Sequence, residues 1–286
     1  MMDYLFFFIG FFVVIRCMFY ISTVLISLTS KASLSTYENT WAIITGATDG
    51  IGLGFACELA KHKINLILIS RSNEKLDKVA SDLKSIHGIQ IKTIAKDLNS
   101  FHKNPISEFL AIYNLCKDLK ITILINNVGL CVKKKFLYTS LDKILEQIVL
   151  NTFSIVFMTQ LFIDDLQKSN NGVVINISSI AGLIPSPGAC VYAAGKSFDE
   201  IFSRVLQEET QIKVLCLQPS FVETKMTKDF KYKPLSISKE ECAKGCLKDI
   251  GKVMCSSGNY KHWVSYTLMI MTRDFIKMLS GFSDYV

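Results

Sequence analysis

The sequence predicts an α/β protein built on a doubly wound parallel β-sheet, preceded by an N-terminal transmembrane helix. From residue 41 onward, short runs rich in Val and Ile alternate with helical patterns, the order typical of a parallel sheet. Several runs are apolar at every position, as strands covered by helices on both faces must be. The excess of apolar residues lies in the first 30 residues, and the rest has the composition of a soluble domain.

Residues 1–30 are predicted to form a membrane anchor. Residues 5–28 are an apolar run with one charge, Arg16, and a membrane-spanning helix needs about 20 apolar residues. A cleaved signal peptide has a shorter apolar region of about 7–15 residues after positive charge, whereas Asp3 precedes this run. Arg16 is costly in mid-membrane unless its charge reaches the interface. Lys31 favours a cytoplasmic position for the remaining chain.

Residues 31–286 are predicted to form one domain, because no repeat or low-complexity linker divides them. The predicted strands are WAIIT (41–45), NLILI (65–69), IQIKTIA (89–95), ITILI (121–125), GVVINI (172–177) and KVLCLQ (213–218). Helical stretches are predicted between the strands, among them residues 52–62, 74–87, 141–168 and 193–209. From about residue 225 a substrate-proximal or membrane-proximal region begins, where Ser238 and Glu241 form a capping-box pattern that predicts a helix over 238–252. The apolar tail, residues 263–279, fits a core helix, a membrane-surface helix or a substrate lid, and core or surface packing is the commoner outcome for such a stretch.

Composition excludes several other classes of protein. The nine cysteines form no CxxC pair, so neither a disulfide framework nor a metal site is predicted, and a reducing compartment is favoured. The net charge of +7 is modest for 286 residues, and no dense basic stripe with interleaved aromatics points to nucleic acid. The lysine run at residues 133–135 fits a solvated loop better than a patch for an anionic ligand or lipid surface.

A glycine-rich turn joins the first predicted strand to the first predicted helix. Backbone N–H groups at a helix N-terminus bind a pyrophosphate, and glycines allow its close approach. The position between a first strand and a first helix distinguishes this turn from an ordinary glycine-rich loop. We expect the cofactor phosphates to lie against Gly46, Thr48, Asp49, Gly50, Ile51 and Gly52.

The end of the second predicted strand indicates which dinucleotide binds. An acidic residue there binds the ribose hydroxyls of NAD, whereas this chain has no acid and has Arg71, which suits the 2′-phosphate of NADP(H). An ordinary surface arginine is the alternative. Asp97 follows the third strand and is expected near the adenine. The segment Asn126, Asn127, Val128 and Gly129 is expected to close the fourth strand over the cofactor.

Tyr192 and Lys196 form the predicted catalytic pair, because residues four apart on a helix lie on the same face. A neighbouring ammonium group favours the phenolate, so we expect Lys196 to lower the pKa of Tyr192 from about 10 toward neutrality, as a general acid requires. Such a pair also arises by chance. Ser178 and Ser179 after the fifth strand, and Asn151 in the preceding helix, strengthen the interpretation because parallel strands end at one crevice.

In their order and spacing, TGATDGIG, NNVG, Asn151, NISSIAG and YAAGK resemble the short-chain dehydrogenase/reductase family, which has a Rossmann-type fold. The resemblance implies that Tyr192 is the acid/base and that Lys196 lowers its pKa and holds the nicotinamide ribose. It also implies that Ser179 binds the substrate carbonyl and that Asn151 anchors a water-mediated proton relay. The residues by themselves leave Ser178 and Ser179 equivalent.

The resemblance covers roughly residues 40–225, and the chain departs from the family pattern at two places there. Gly195 stands where a serine or threonine commonly precedes the lysine, and we expect it to loosen the helix locally. The segment QPSFVET (218–224) lacks the common glycine after proline. It retains the residues expected beside the nicotinamide: Pro219, Val222 and Thr224.

Further runs, ELAKHKINLILISRSNEKLDKVASDL, LINNVG, MTQLF and LQEE, resemble a membrane-bound branch of this family. That branch includes very-long-chain 3-oxoacyl-CoA reductases and 17β-hydroxysteroid dehydrogenases. The resemblance implies NADPH-dependent reduction of a lipophilic ketone at the endoplasmic reticulum membrane, with the catalytic domain facing the cytoplasm and a possible homodimer. A long-chain or very-long-chain 3-oxoacyl-CoA is the first expected substrate, and a steroid or sterol ketone is the second.

Coenzyme A would require basic groups at the site entrance, and several lysines follow the QPSFVET segment. We expect this role for Lys225, Lys228, Lys231 and Lys233, although a solvated loop face explains them equally well. A non-catalytic alternative to the whole reading is an NADP-binding membrane scaffold or sensor.

Overall fold

The computed structural model describes residues 2–29, 31, 33–230, 233 and 235–279. Within them, the strands are β1 (Trp41–Thr45), β2 (Asn65–Ser70), β3 (Ile91–Ala95), β4 (Ile121–Asn126), β5 (Val173–Ile177), β6 (Lys213–Leu217) and β7 (Cys255–Ser256). The α-helices are α1 (Met2–Thr29), α2 (Gly50–Lys61), α3 (Asn73–His87), α4 (Pro105–Cys116), α5 (Leu141–Ile148), α6 (Ser154–Lys168), α7 (Cys190–Glu209), α8 (Lys239–Lys248) and α9 (Tyr260–Leu279).

These strands form one parallel sheet in the order β3-β2-β1-β4-β5-β6-β7. All six predicted strands are present, and the short β7 is an addition at the edge. The strand order reverses direction between β1 and β4, and ligands of such sheets bind there, outside the carboxyl ends of the strands. The prediction of a doubly wound, Rossmann-type fold is confirmed.

Both faces of the sheet are buried, which explains why the strand sequences are apolar throughout. Ile44 of β1 packs with α2, α3 and α8, whereas the adjacent Ile43 packs on the opposite face with α4 and α6. Successive side chains of a strand point to opposite faces, so a strand covered on both sides alternates between two cores. Phe55 on the first face and Phe162 on the second have no exposed surface.

The predicted helix over Leu141–Lys168 is divided into α5 and α6 by a π-helical turn at Val149–Phe153. Asn151 lies in this turn, and single π turns are frequent at functional sites. By length and composition the stretch is apolar enough to cross a membrane, because an 18-residue window within it has a mean hydropathy of 1.4. A core helix of a soluble protein meets the same criterion. Met158 and Phe162 of α6 are fully buried in the core beside the sheet, which is the position of a core helix.

The C-terminal elements close the domain and attach α1 to it. Ser238 and Glu241 form the predicted capping box at the start of α8, and this helix ends four residues earlier than expected. Asp249 then accepts hydrogen bonds from Ser256 Oγ (2.6 Å) in β7 and from Ser27 Oγ (2.9 Å) in the last turn of α1. The apolar N-terminal helix is therefore joined to the sheet domain through a buried carboxylate.

Candidate active site

A cavity of about 1360 Å³ lies at the carboxyl ends of the strands. Its walls are the turn after β1, the ends of β2 and β3, the segments after β4 and β5, the start of α7 and the segment after β6. Most of the predicted site residues line it: Gly46, Thr48, Asp49, Gly50, Ile51, Arg71, Asp97, Val128, Gly129, Ser179, Tyr192, Lys196, Pro219, Val222 and Thr224. Three predicted residues lie behind the walls: Gly52, Asn126 and Asn151.

The turn after β1 requires its glycines for two different reasons. Gly46 (φ +66°) and Gly50 (φ +53°) adopt left-handed backbone conformations that favour glycine. At Gly52, a Cβ atom would lie 2.4 Å from the Gly46 carbonyl oxygen, so α2 can begin against the turn only without a side chain there. This packing places the N-terminus of α2 at the cavity, an arrangement that fits the pyrophosphate of a dinucleotide.

Asp49 holds two segments together at this turn. Its carboxylate accepts a hydrogen bond from Gly50 N (2.8 Å) and forms an ion pair with Lys225 Nζ (2.5 Å). Burial disfavours the charge, but Lys225 and the Gly50 N–H group outweigh burial and hold the pKa of Asp49 below its usual value. Thr224 adds a contact, because its Cγ2 lies 3.1 Å from where a Cβ at Gly50 would be. The segment after β6 is thereby held across the glycine turn.

The end of the cavity formed by β2 and β3 carries a guanidinium group and a carboxylate. Arg71 follows β2 and lines the cavity beside Ser70, whose Oγ lies 2.9 Å from Thr48 Oγ1. Asp97, after β3, also lines this end, and its carboxylate accepts a hydrogen bond from Asn99 N (3.1 Å). A guanidinium group binds phosphate through two parallel hydrogen bonds. The residues present therefore fit NADP(H).

The structure corrects the prediction for the side chain of Asn126. This side chain is buried, and its Nδ2 donates to Asn176 Oδ1 (2.9 Å) and to Thr159 Oγ1 (3.0 Å). The following residue, Asn127, lines the cavity instead, and its Nδ2 donates to the carbonyl oxygen of Gly46 (3.2 Å). Asn126 thus supports the sheet from within, and Asn127 fixes the glycine turn against the end of β4.

Tyr192, Lys196 and Ser179 converge on one wall of the cavity, as predicted. Lys196 Nζ donates to Ile177 O (2.7 Å) and to Asp199 Oδ2 (2.9 Å), and lies 5.8 Å from the centre of the Tyr192 ring. The hydroxyl of Ser179 lies near the phenol of Tyr192 and lowers its pKa. A hydroxyl, a phenol and an ammonium group consequently face the space where a carbonyl oxygen would lie.

The structure distinguishes the two serines that the sequence leaves equivalent. Ser178 is buried, and its hydroxyl donates to the carbonyl oxygen of Lys196 (2.6 Å). Ser179 lines the cavity, and its Oγ accepts a hydrogen bond from Ala181 N (3.2 Å). Ser178 therefore anchors the backbone of α7, whereas Ser179 is placed beside Tyr192 to contact a ligand.

Asn151 lies behind Lys196 and binds the loop after β4. Its Oδ1 accepts from Leu130 N (2.8 Å), and its Nδ2 donates to Leu130 O (2.9 Å). At Gly129, a Cβ would lie 3.0 Å from Asn151 Oδ1 and 3.6 Å from Lys196 Nζ. At Gly195, a Cβ would lie 3.3 Å from Asn151 Cβ, and α7 continues through Gly195 without a break. These two glycines allow Asn151, Lys196 and the loop to pack closely.

The pKa of Tyr192 is higher than the sequence predicts. Burial of its hydroxyl raises the pKa above the usual value, even though the ring keeps some exposure to the cavity. The charge of Lys196 and the hydrogen bond with Ser179 lower it only in part. Burial also disfavours the charge of Lys196, but Asp199 outweighs this and raises the pKa of Lys196. Lys196 therefore lowers the pKa of Tyr192 as predicted, but burial outweighs it, so the pKa lies above the usual value.

Sequence reasoning missed Asp199, which binds the catalytic lysine directly. The available signal was an acidic residue three positions after Lys196, since residues three apart on a helix are neighbours. It also missed the position of the lysine run, residues 133–135, which lines the cavity. That position depends on how the loop after β4 folds back, and nothing in the run itself indicates it.

Comparison with known proteins identifies the family. A family model described as short chain dehydrogenase matches residues 40–234. The chain belongs to the short-chain dehydrogenase family, and it is an oxidoreductase of alcohol and ketone groups that uses a nicotinamide cofactor. A very-long-chain 3-oxoacyl-CoA reductase from Homo sapiens is 36% identical over 233 residues, covering 78% of this chain and 72% of the relative. A very-long-chain 3-oxoacyl-CoA reductase-A from Danio rerio is 40% identical over 196 residues, covering 66% of this chain and 60% of the relative.

Solved structures share the fold. One, from a study of the stereoselectivity of 7β-hydroxysteroid dehydrogenase, has a TM-score of 0.73 at 21% sequence identity. The match covers 82% of this chain and 93% of that chain. A short-chain dehydrogenase from Sphingobium yanoikuyae in complex with NADPH has a TM-score of 0.68 at 23% identity, covering 86% of this chain and 97% of that chain. At these identities the likeness establishes the fold alone.

Proposed function

We propose that this protein uses NADPH to reduce the ketone of a long-chain or very-long-chain 3-oxoacyl-CoA, a step of fatty-acid elongation. The observation that carries the proposal is a single cavity in which Ser179, Tyr192 and Lys196 face the same space as the glycine turn and Arg71. The substrate class is supported by relatives of that name, which are 34–40% identical to this chain.

The cofactor, when bound, supplies the hydride. The glycine turn and the N-terminus of α2 hold its pyrophosphate, and Arg71 binds its 2′-phosphate. Pro219, Val222 and Thr224 line the same cavity as Tyr192, and the nicotinamide would lie against them. Holding both reactants in one enclosed space is the principal contribution of these residues to the rate.

Ser179 and Tyr192 act on the oxygen of the substrate ketone. Ser179 donates a hydrogen bond to it, and Tyr192 transfers a proton to it as the oxygen gains charge. Because burial raises the pKa of Tyr192, the phenol keeps its proton at neutral pH, which is the form that reduction requires. The charge of Lys196 stabilises the phenolate left after the transfer. A water-mediated relay through Asn151 and Lys196 then returns a proton to Tyr192.

Lysines at the cavity mouth support a substrate that carries phosphates. The lysine run and Lys225 line the cavity, and Lys133 Nζ donates to Met226 O (3.1 Å), which joins the loop after β4 to the segment after β6. Coenzyme A has several phosphate groups, and ammonium groups bind them by charge-assisted hydrogen bonds. Of the other lysines expected at the entrance, Lys228 and Lys233 do not line the cavity. Lys231 lies outside the described residues.

A pair of thioesters tests the role of the lysine run. The double variant Lys134→Ala, Lys135→Ala should raise KM for a 3-oxoacyl-CoA about tenfold and leave kcat unchanged, because two phosphate contacts are lost. The same acyl group on N-acetylcysteamine, which has no phosphate, should be reduced equally well by both proteins. The control Lys117→Ala, Lys120→Ala removes the same charge from exposed positions that do not line the cavity. An equal effect on both thioesters would contradict phosphate binding by the run.

The function is tested with NADPH and a panel of 3-oxoacyl-CoAs and ketosteroids, comparing wild type with Tyr192→Phe. We expect oxidation of NADPH with long-chain 3-oxoacyl-CoAs and its loss in the variant. Turnover of ketosteroids alone would assign the protein to 17β-hydroxysteroid or sterol metabolism instead. NADPH binding without turnover of any ketone would favour the membrane scaffold or sensor.

We also propose that residues 1–30 anchor the protein in the endoplasmic reticulum membrane, with residues 31–286 in the cytoplasm. Apolar side chains of α1, among them Phe7, Phe11 and Met18, are more than half exposed, and a bilayer would cover them. Carbonate extraction of membranes tests the anchor. Release of the full chain into the soluble fraction would contradict the anchor. Protection of the sheet domain from added protease in intact microsomes would contradict its cytoplasmic orientation.

A homodimer through α5 and α7 is the assembly that we propose. These neighbouring helices expose apolar side chains on their outer surface, including Leu141, Leu145, Phe198, Ile201 and Val205. Clustered apolar side chains on a surface mark a protein interface. Light scattering of the detergent-solubilised protein should give twice the chain mass, and a monomer would contradict the assignment.

A further inference from the structure

Asp199 places a buried carboxylate directly on the lysine of the candidate active site. The two residues are three positions apart on α7, and Asp199 Oδ2 accepts a hydrogen bond from Lys196 Nζ at 2.9 Å. Asp199 has no exposed surface, and only 3% of Lys196 is exposed. The other protein acceptor of the ammonium group is Ile177 O at 2.7 Å. The position of the ammonium is therefore set by a strand carbonyl and a carboxylate.

The stability of the fold alone does not account for Asp199. Its Oδ1 atom is buried and has no hydrogen-bond partner within the described residues, which carries a desolvation cost. A buried ion pair also loses the hydration of both charges, and well-packed apolar residues often replace such a pair without loss of stability. A costly carboxylate bound to a catalytic lysine indicates a role in the chemistry of that lysine.

The titratable groups that face the pair come from three elements. Tyr192 lies on the same helix as Lys196 and Asp199 and faces both. Cys131, in the loop after β4, faces Tyr192. Lys196 also faces Cys216 of β6. Burial raises the pKa of the Cys131 thiol. Hydrogen bonding with the Cys255 thiol, together with burial, raises the pKa of Cys216. Both Cys131 and Cys216 are therefore neutral at pH 7. Asp199 is the negative charge that acts most strongly on Lys196.

We propose that Asp199 is a positioning residue that holds the Lys196 ammonium group and offsets part of its electrostatic effect on Tyr192. The carboxylate keeps Lys196 charged, and it keeps Tyr192 protonated to a higher pH than an unpaired lysine would. Ketone reduction needs the phenol, whereas alcohol oxidation needs the phenolate. Asp199 therefore adapts the site to the reductive direction, and this inference rests on the proposed function.

The pH dependence of kcat/KM for reduction of a 3-oxoacyl-CoA tests the proposal. Reduction requires protonated Tyr192, so activity falls as the pH rises through the pKa of this residue. In Asp199→Asn the ammonium is uncompensated and favours the phenolate, which should move the midpoint of this fall down by about one pH unit. A residue with a purely structural role would change the melting temperature and leave the midpoint in place.

Two further variants serve as controls. Glu200→Gln removes a charge from the adjacent residue, whose partner is Arg204 (2.7 Å), and should leave the midpoint unchanged. Asp199→Glu restores a carboxylate and should return the midpoint toward that of wild type. A wild-type midpoint in Asp199→Asn, with NADPH affinity and melting temperature retained, would overturn the proposal.

Direct titration of Tyr192 gives a second test that needs no turnover. The tyrosinate absorbance of wild type minus that of Tyr192→Phe reports this one phenol. Its midpoint should lie at or above the usual tyrosine value of about 10, because burial raises it and Lys196 lowers it only in part. The same difference in the Asp199→Asn background should have a midpoint about one pH unit lower, and an equal midpoint would overturn the role of Asp199. If wild type reduces no ketone, the proposed function fails, and this titration still decides the inference by itself.

Discussion

Gly52→Ala tests whether the packing of α2 against the glycine turn creates the cofactor site. An added Cβ would lie 2.4 Å from the Gly46 carbonyl oxygen and 2.5 Å from Asn127 Nδ2, so it must move away by about 1 Å to reach ordinary contact. Overpacking of this kind costs about 1–3 kcal/mol. Replacing glycine in a helix returns about 1 kcal/mol, so the net loss of unfolding free energy should be at most about 2 kcal/mol.

The larger effect should be on cofactor affinity. Displacing the turn disrupts backbone N–H contacts with the pyrophosphate, and a hydrogen bond to a charged group contributes about 1.5–3 kcal/mol. The Kd for NADPH should therefore rise at least about tenfold. Fluorescence titration of NADPH measures this affinity, and thermal unfolding measures stability in parallel.

Gly54→Ala is the matched control for this prediction. Gly54 lies on the same helix, and a Cβ there would also approach a backbone oxygen to 2.4 Å, but that oxygen belongs to Lys239 of α8. Both variants should lose stability, and only Gly52→Ala should lose NADPH affinity beyond that loss. Unchanged affinity in folded Gly52→Ala, or equal losses in both variants, would refute the steric account of the turn.

Two other predictions separate cofactor binding, catalysis and stability. Arg71→Ala should raise the Kd for NADPH at least about tenfold and leave that for NADH nearly unchanged, because the 2′-phosphate contact is lost; equal effects on both cofactors would contradict the assignment. Ser179→Ala should lower kcat about 100-fold or more without altering the melting temperature. Ser178→Ala should instead lower the unfolding free energy by about 1–2 kcal/mol, because the hydrogen bond to Lys196 O is lost. Measured kcat values and melting curves that reverse this pattern would exchange the roles of the two serines.

The sheet was predictable because each long strand has its own local signal. Apolar runs covered on both faces, together with the glycine turn after β1, define a doubly wound topology. β7 has only two residues, so no pattern reveals it. α4 is one of the helical stretches expected between strands, and Pro105 at its first turn is a local helix signal. The π turn at Val149–Phe153 had no local signal in the sequence, which read as one continuous helix.

The candidate site was predicted in its residue types but not in its orientations. Sequence spacing gives Tyr192 and Lys196 on one helix face, whereas the directions of Ser178, Ser179 and Asn126 depend on how each strand end turns. The pKa of Tyr192 could not be derived from its neighbour Lys196 alone. Burial of the phenol and the pairing of Lys196 with Asp199 are tertiary effects, and they reverse the expected direction.

Single-turnover reduction by wild type and Tyr192→Phe tests the central claim most directly. Enzyme is saturated with NADPH, mixed with a long-chain 3-oxoacyl-CoA, and followed by loss of NADPH absorbance. We predict one NADPH oxidised per ketone in wild type. In Tyr192→Phe we predict an unchanged Kd for NADPH and a rate lower by about 100- to 10,000-fold, the usual contribution of a general acid. A rate in Tyr192→Phe within a factor of a few of wild type would contradict the account, because the proton would then come from another group.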